Sequence, residues 1–125
     1  MTFWPLFMFK PGIFQTLLNE GWKQHRFEPF HEGVHICTLW AEETTLALLK
    51  YEPGASVPRH RHTGTELILV LEGSQSDEQA TYSEGSVILN PVGSEHTVWS
   101  EQGCVILIHW EKPVEFINAF DETIL

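Results

Sequence analysis

The chain has 125 residues, 42% of them hydrophobic and 19% charged, which fits one folded domain with a real core and leaves no room for two. The 17 acidic residues outnumber the 7 basic ones, for a formal net charge of -10. That balance argues against nucleic acid or an anionic membrane as a direct partner.

The first nine residues, MTFWPLFMF, are apolar but lack a basic leader and are far too few to cross a bilayer. They are expected to form an arm packed on the domain or on a second copy, which makes a homodimer the expected assembly. Next, Ile13, Phe14, Leu17 and Leu18 recur at helical spacing, with Gly21 as a stop, and predict a short helix. Arm and helix together make residues 1–24 a segment laid on a single domain of residues 25–125.

From Trp22 onward the texture changes to short β-branched and aromatic runs separated by turn signals. Candidate strands are 34–40, 45–51, 66–72, 79–83, 86–90, 96–100 and 105–110. The breaks fall at Pro53-Gly54, Gly73, Glu84-Gly85, residues 91–93 and Gln102-Gly103. Positions 67–71 are apolar throughout and predict a strand buried on both faces. A two-sheet β-barrel or jelly roll follows, with residues 118–125 as a polar-acidic tail prone to fray. Cys37 and Cys104 lie far apart in apolar surroundings, as expected of reduced core thiols in a cytoplasmic protein.

Residues 54–73 read GASVPRHRHTGTELILVLEG. In a strand, His60 and His62 share a face, and Glu66 opens the next strand after a Thr-Gly-Thr turn. Residues 85–100 read GSVILNPVGSEHTVWS and bring His96 from a distant strand. Three imidazoles and one carboxylate suit a divalent transition metal, zinc or iron first and manganese, nickel or cobalt next, better than calcium or magnesium.

The two segments resemble the paired motifs of the cupin superfamily. The first motif, G-x5-H-x-H-x3,4-E-x6-G, is met by Gly54, His60, His62, Glu66 and Gly73; the second, G-x5-P-x-G-x2-H-x3-N, by Gly85, Pro91, Gly93 and His96, with Ser100 in place of asparagine. The run PRHRHTGTELILVLEGSQSDEQATYSEGSVILNPVGSEHTVWSEQGC is also similar to the cupin-like domain of ChrR-type anti-sigma factors. The resemblance implies an all-β cupin fold, a double-stranded β-helix or jelly-roll barrel, with metal at His60, His62, Glu66 and His96. In those factors a similar domain holds zinc behind a separate sigma-binding domain with its own His/Cys pattern. Since that pattern is missing before the barrel segment, sigma-factor binding is not expected to carry over.

The remaining candidates are expected to be structural. Arg59 and Arg61 alternate with the ligand histidines and should face away from them. His25, His31 and His35 read as surface residues, Asp77 and Glu101 as solvated turn residues, and Trp40, Trp99 and Trp110 as core or interface. His109 shares parity with Val105 and Leu107 and is expected at solvent more readily than in the pocket. No catalytic residue is assigned. The leading functional expectation is a metal-binding domain that binds or senses a small-molecule ligand or substrate through an open site. The alternatives are an iron(II) dioxygenase acting on a diketone or hydroxyketone, against which Glu66 counts, and a metal-dependent isomerase or hydrolase.

Overall fold

The computed structural model describes residues 10–117. The expected arm of residues 1–9 and tail of residues 118–125 lie outside them. Ten strands follow one another among the described residues: β1 (Glu28–His31), β2 (Val34–Ala41), β3 (Thr45–Tyr51), β4 (Ser56–His62), β5 (Glu66–Ser76), β6 (Thr81–Ser83), β7 (Val87–Asn90), β8 (Glu95–Trp99), β9 (Cys104–Trp110) and β10 (Val114–Phe116). Each pairing between them is antiparallel, and the path runs β1-β2-β3-β9-β5-β8-β4-β10.

The long strand β5 closes the barrel. Its first half lies between β9 and β7, with Glu66 opposite both Trp110 and Asn90, while its last residues pair with β6 and touch β8. A register shift between Val70 and Glu72 marks where it turns from one sheet into the other, as a bulge allows. The resulting all-β jelly-roll barrel is the fold the motif resemblance implied.

Period-two alternation distributes the apolar residues. Leu49, Ala47 and Tyr51 of β3 face inward with Ile68, Val70, Ile106, Ile108, Val57 and Val98. Leu48, Leu71 and Val105 face outward and are covered by Trp22, brought there by a single 3-10 turn at Gly21–Gln24. The expectation that positions 67–71 are buried on both faces is therefore corrected. Leu67 is 43% exposed, and only the stretch near the bulge gains a second apolar layer.

The helix expected over residues 13–21 is also absent. Thr16, Asn19 and Glu20 all have positive φ, a region that right-handed helix cannot contain, and Ile13 and Leu18 point at solvent. Leu17 alone of the four apolar positions packs on the Trp22 cluster, so no common helical face is buried. Conversely, β1 and β10 were not among the sequence-predicted strands, and β4, read as strand only around His60 and His62, spans Ser56–His62. Pro29 and Pro58 sit at or beside register shifts in β1 and β4, where a residue without an N–H is tolerated.

Candidate metal centre

Strand β4 places His60 and His62 on one face, two residues apart, and β8 sets His96 directly opposite His60. The chain then turns through Thr63, Gly64 and Thr65 to deliver Glu66 at the start of β5. That turn is held against the β9–β10 connection: Thr63 Oγ1 donates to the Pro113 carbonyl, and the Thr65 N–H donates to Glu111. A second strap comes from the Pro91 to Gly93 turn. Gly93 N–H donates to the His62 carbonyl (2.8 Å) and His62 N–H donates to the Ser94 carbonyl (2.9 Å), so the turn before His96 fixes the backbone of His62. Gly93 has φ +90, which explains why that turn takes glycine.

The four side chains converge. His60, His62, Glu66 and His96 are buried, with one ligand atom from each lying within 4.8 Å of all the others. The three imidazole centroids are 4.7 to 5.1 Å apart. Such a group could hold a metal ion.

The hydrogen bonds around the cluster fix its tautomers. Nδ1 of His60 faces the Pro58 carbonyl at 2.8 Å, Nδ1 of His62 faces the carbonyl and hydroxyl of Ser94 at 2.9 Å each, and Nδ1 of His96 faces Asp77 Oδ2 at 3.3 Å. An oxygen acceptor there keeps the proton on Nδ1 and leaves the Nε2 lone pair for the centre. Nε2 of His62 and of His96 are buried without a hydrogen-bond partner. Nε2 of His62 does lie 3.2 Å from Glu66 Oε1, but proximity without alignment is an ion-pair contact and not a hydrogen bond. Glu66 is gripped from both sides, accepting from Asn90 Nδ2 at Oε1 (2.9 Å) and from the Trp110 indole N–H at Oε2 (2.6 Å).

Electrostatics follow from this packing. Burial alone would raise the Glu66 pKa, but His62, the Trp110 N–H and His60 together hold it below the usual carboxylate value. Burial pushes His62 down, yet Glu66 outweighs it and the imidazole stays protonated to higher pH than usual. His60 goes the other way, lowered chiefly by burial.

Residues 21–114 match the profile of the family described as the ChrR Cupin-like domain. The chain belongs to that family. It is 34% identical over 98 residues to the anti-sigma-E factor ChrR of Cereibacter sphaeroides, a match covering 76% of this chain and 46% of that protein. The crystal structure of Rhodobacter sphaeroides SigE in complex with the anti-sigma ChrR superposes with a TM-score of 0.63 at 32% identity, covering 68% of this chain and 48% of that one. The chain thus spans about half the length of these relatives. An acetylacetone dioxygenase from Acinetobacter johnsonii shares the fold, with a TM-score of 0.69 at 18% identity over 74% of this chain and 72% of that one.

The ChrR cupin-like fold also sorts the other candidate residues. Arg59 and Arg61 point outward, as expected, and pair with Glu78, Glu95 and Glu115. His109 lies opposite Leu46 and Leu67 on the outer face of the sheet, away from the cavity. His25, His31 and His35 are half-buried and outside the cluster; His31 stacks edge-on with Phe116. Glu101 is exposed, Trp40 largely so, and Trp99 is half-buried. Cys104 is buried and Cys37 half-buried; burial raises both thiols, Cys104 to about 11, so neither is a reactive thiolate.

One expectation fails at the site itself, and another covers only part of a residue's role. Asp77 is not a solvated turn residue: it stands behind His96 and accepts from the Tyr82 hydroxyl. Trp110 packs on the core as expected, and its N–H also holds Glu66 while the residue lines a cavity of about 30 Å³ beside His60 and Glu66. The rest of that cavity is mostly apolar, with Tyr51 and Gln75 as a buried polar pair. Asn90 was missed as well; it is the buried last residue of the otherwise exposed or half-buried strand β7, just before Pro91.

Proposed function

We propose that this domain holds one divalent transition-metal ion on His60, His62, His96 and Glu66 and uses it to bind or sense a small molecule. The observation that carries the reading is the pair of buried Nε2 atoms, on His62 and His96, that have no hydrogen-bond partner while every Nδ1 of the cluster has one. Buried polar atoms without partners are rare, and a shared cation satisfies both at once. The donor set of three imidazoles and one carboxylate fits zinc or iron, with manganese and nickel next. When bound, such an ion supplies a Lewis-acidic centre with room for ligands besides the four side chains.

The residues of the chain do the rest. The Nδ1 acceptors orient the rings, Asn90 and Trp110 fix the carboxylate, and the apolar cavity walls exclude bulk water from one side. Glu66 also lowers the net charge of a loaded site to about +1, which keeps the affinity for anions modest.

Metal content of protein purified without an affinity tag tests the reading. Wild type and His25→Ala are expected to carry about one equivalent, and His62→Ala and His96→Ala none; stoichiometric metal in both ligand variants refutes it. Oxygen uptake by iron-loaded protein with simple diketones decides the second reading, a dioxygenase, which the apolar cavity favours and Glu66 disfavours. No uptake removes the dioxygenase reading and leaves the binding site to be defined by its ligand.

A further inference from the structure

A second cavity lies outside the first. It is an open groove of about 530 Å³ whose apolar wall is Phe30, Trp110, Val114 and Phe116, and the same four residues line the inner cavity beside His60 and Glu66. Phe30 and Phe116 are 39% and 44% exposed, so both rings present apolar surface to an occupant of the groove. Two of these walls touch the metal cluster. The Trp110 N–H is bonded to Glu66, and Phe116, which lies opposite His60 in the β10–β4 register, stacks on the His60 ring at 5.9 Å. Phe30 lies 6.3 Å from Trp110, so aromatic surface continues from the groove to the cluster.

Charge narrows what this surface can take. The groove is rimmed by Glu42, Glu43 and Glu111 against a single Lys112. An anion meets those carboxylates first; a cation is repelled at the inner end by a loaded metal centre. A neutral molecule passes both.

We propose that the groove is the recognition site for an uncharged, largely apolar molecule bearing a carbonyl or hydroxyl oxygen, admitted past Phe30, Trp110 and Phe116 toward the cluster. The inference rests on the metal reading above for the destination of that oxygen, and on the groove alone for recognition of the apolar body. Because Trp110 is both groove wall and partner of Glu66, its indole N–H senses an occupant of the groove directly.

The test uses ¹⁵N-labelled, zinc-loaded protein and follows indole N–H resonances, with Trp110→Phe identifying the Trp110 peak. The probes are 2-heptanone, hexanoate and hexylammonium. 2-Heptanone is expected to shift the Trp110 peak saturably, and both charged probes to bind at least about fivefold more weakly at low ionic strength. Phe30→Ala and Phe116→Ala are each expected to weaken 2-heptanone about tenfold, the loss for removing much of one aromatic contact. Both positions are exposed enough to spare the fold, which the other indole peaks report. An unmoved Trp110 peak, or a charged probe binding as well as the ketone, overturns the proposal. Failure to load zinc refutes the metal reading instead, and the same titration on metal-free protein still decides the groove.

Discussion

Asp77 Oδ2 lies 3.3 Å from Nδ1 of His96, placing a carboxylate behind one ring of the cluster where the other two rings face backbone carbonyls. Asp77 is itself fixed: Oδ1 accepts from the N–H groups of Gln79 and Ala80, and the Tyr82 hydroxyl bonds to the same carboxylate. A ring backed by an anion is a stronger donor and is held in one orientation. Asp77→Ala is therefore expected to weaken zinc binding about 10–100-fold by chelator competition, and Asp77→Asn, which keeps an acceptor oxygen, by less. Unchanged affinity in Asp77→Ala would show that the contact is packing only.

The pH dependence has a definite sign. Glu66 is depressed, so its contribution to metal-free stability is present above about 4.3 and is lost as pH falls through the lower folded value. His62 is raised, so its contribution is complete below about 6.5 and is lost as pH rises through the higher folded value. His60 is depressed and costs stability as pH falls below about 6.5. Zinc must displace the His62 proton, so affinity should climb with pH through and above about 6.5, with proton release on binding. Titration calorimetry in buffers of different ionisation enthalpy measures both; a flat affinity from about pH 6 to 8 sinks the prediction.

The two motif glycines at 73 and 85 separate strain from crowding. Both have positive φ, +74 and +88. A Cβ at Gly85 meets nothing within 4 Å, whereas one at Gly73 falls 2.2 Å from the Gly103 carbonyl oxygen. Gly85→Ala should cost about 1–2 kcal/mol from backbone conformation alone. Gly73→Ala should cost clearly more, because backbone on β9's approach has to move. Equal urea midpoints for the two variants would contradict this.

What the sequence showed best was the cluster itself. His60 and His62 share a face because strand alternation is a local rule, and His96 and Glu66 join them where the motif spacing brings their strands together. The supports were harder to see. Asp77 and Trp110 reach the site only through the β5–β6 turn and the β9–β5 pairing, which no local pattern announces. The helix over residues 13–21 failed because apolar spacing says nothing about whether a partner surface exists; Ile13 and Leu18 are exposed, with none for them among the described residues. Strands β1 and β10 were hidden by Pro29 and short length, and the first half of β4 by Pro58; they form because a neighbour supplies the ladder.

Strand β5 gives the sharpest test of that difference between local composition and position. Leu67 and Ile68 are adjacent, both apolar, and indistinguishable by hydropathy. Yet Ile68 is 1% exposed in the barrel core and Leu67 is 43% exposed on the outer face. Ile68→Ala is expected to cost about 2–5 kcal/mol, from lost burial and an unfilled cavity. Leu67→Ala should stay within about 1 kcal/mol. Urea denaturation of the metal-free variants, with equal m-values, measures the pair. Similar losses at the two positions would mean that the outer face of β5 is covered in solution, and would restore the two-sided burial that its composition predicted.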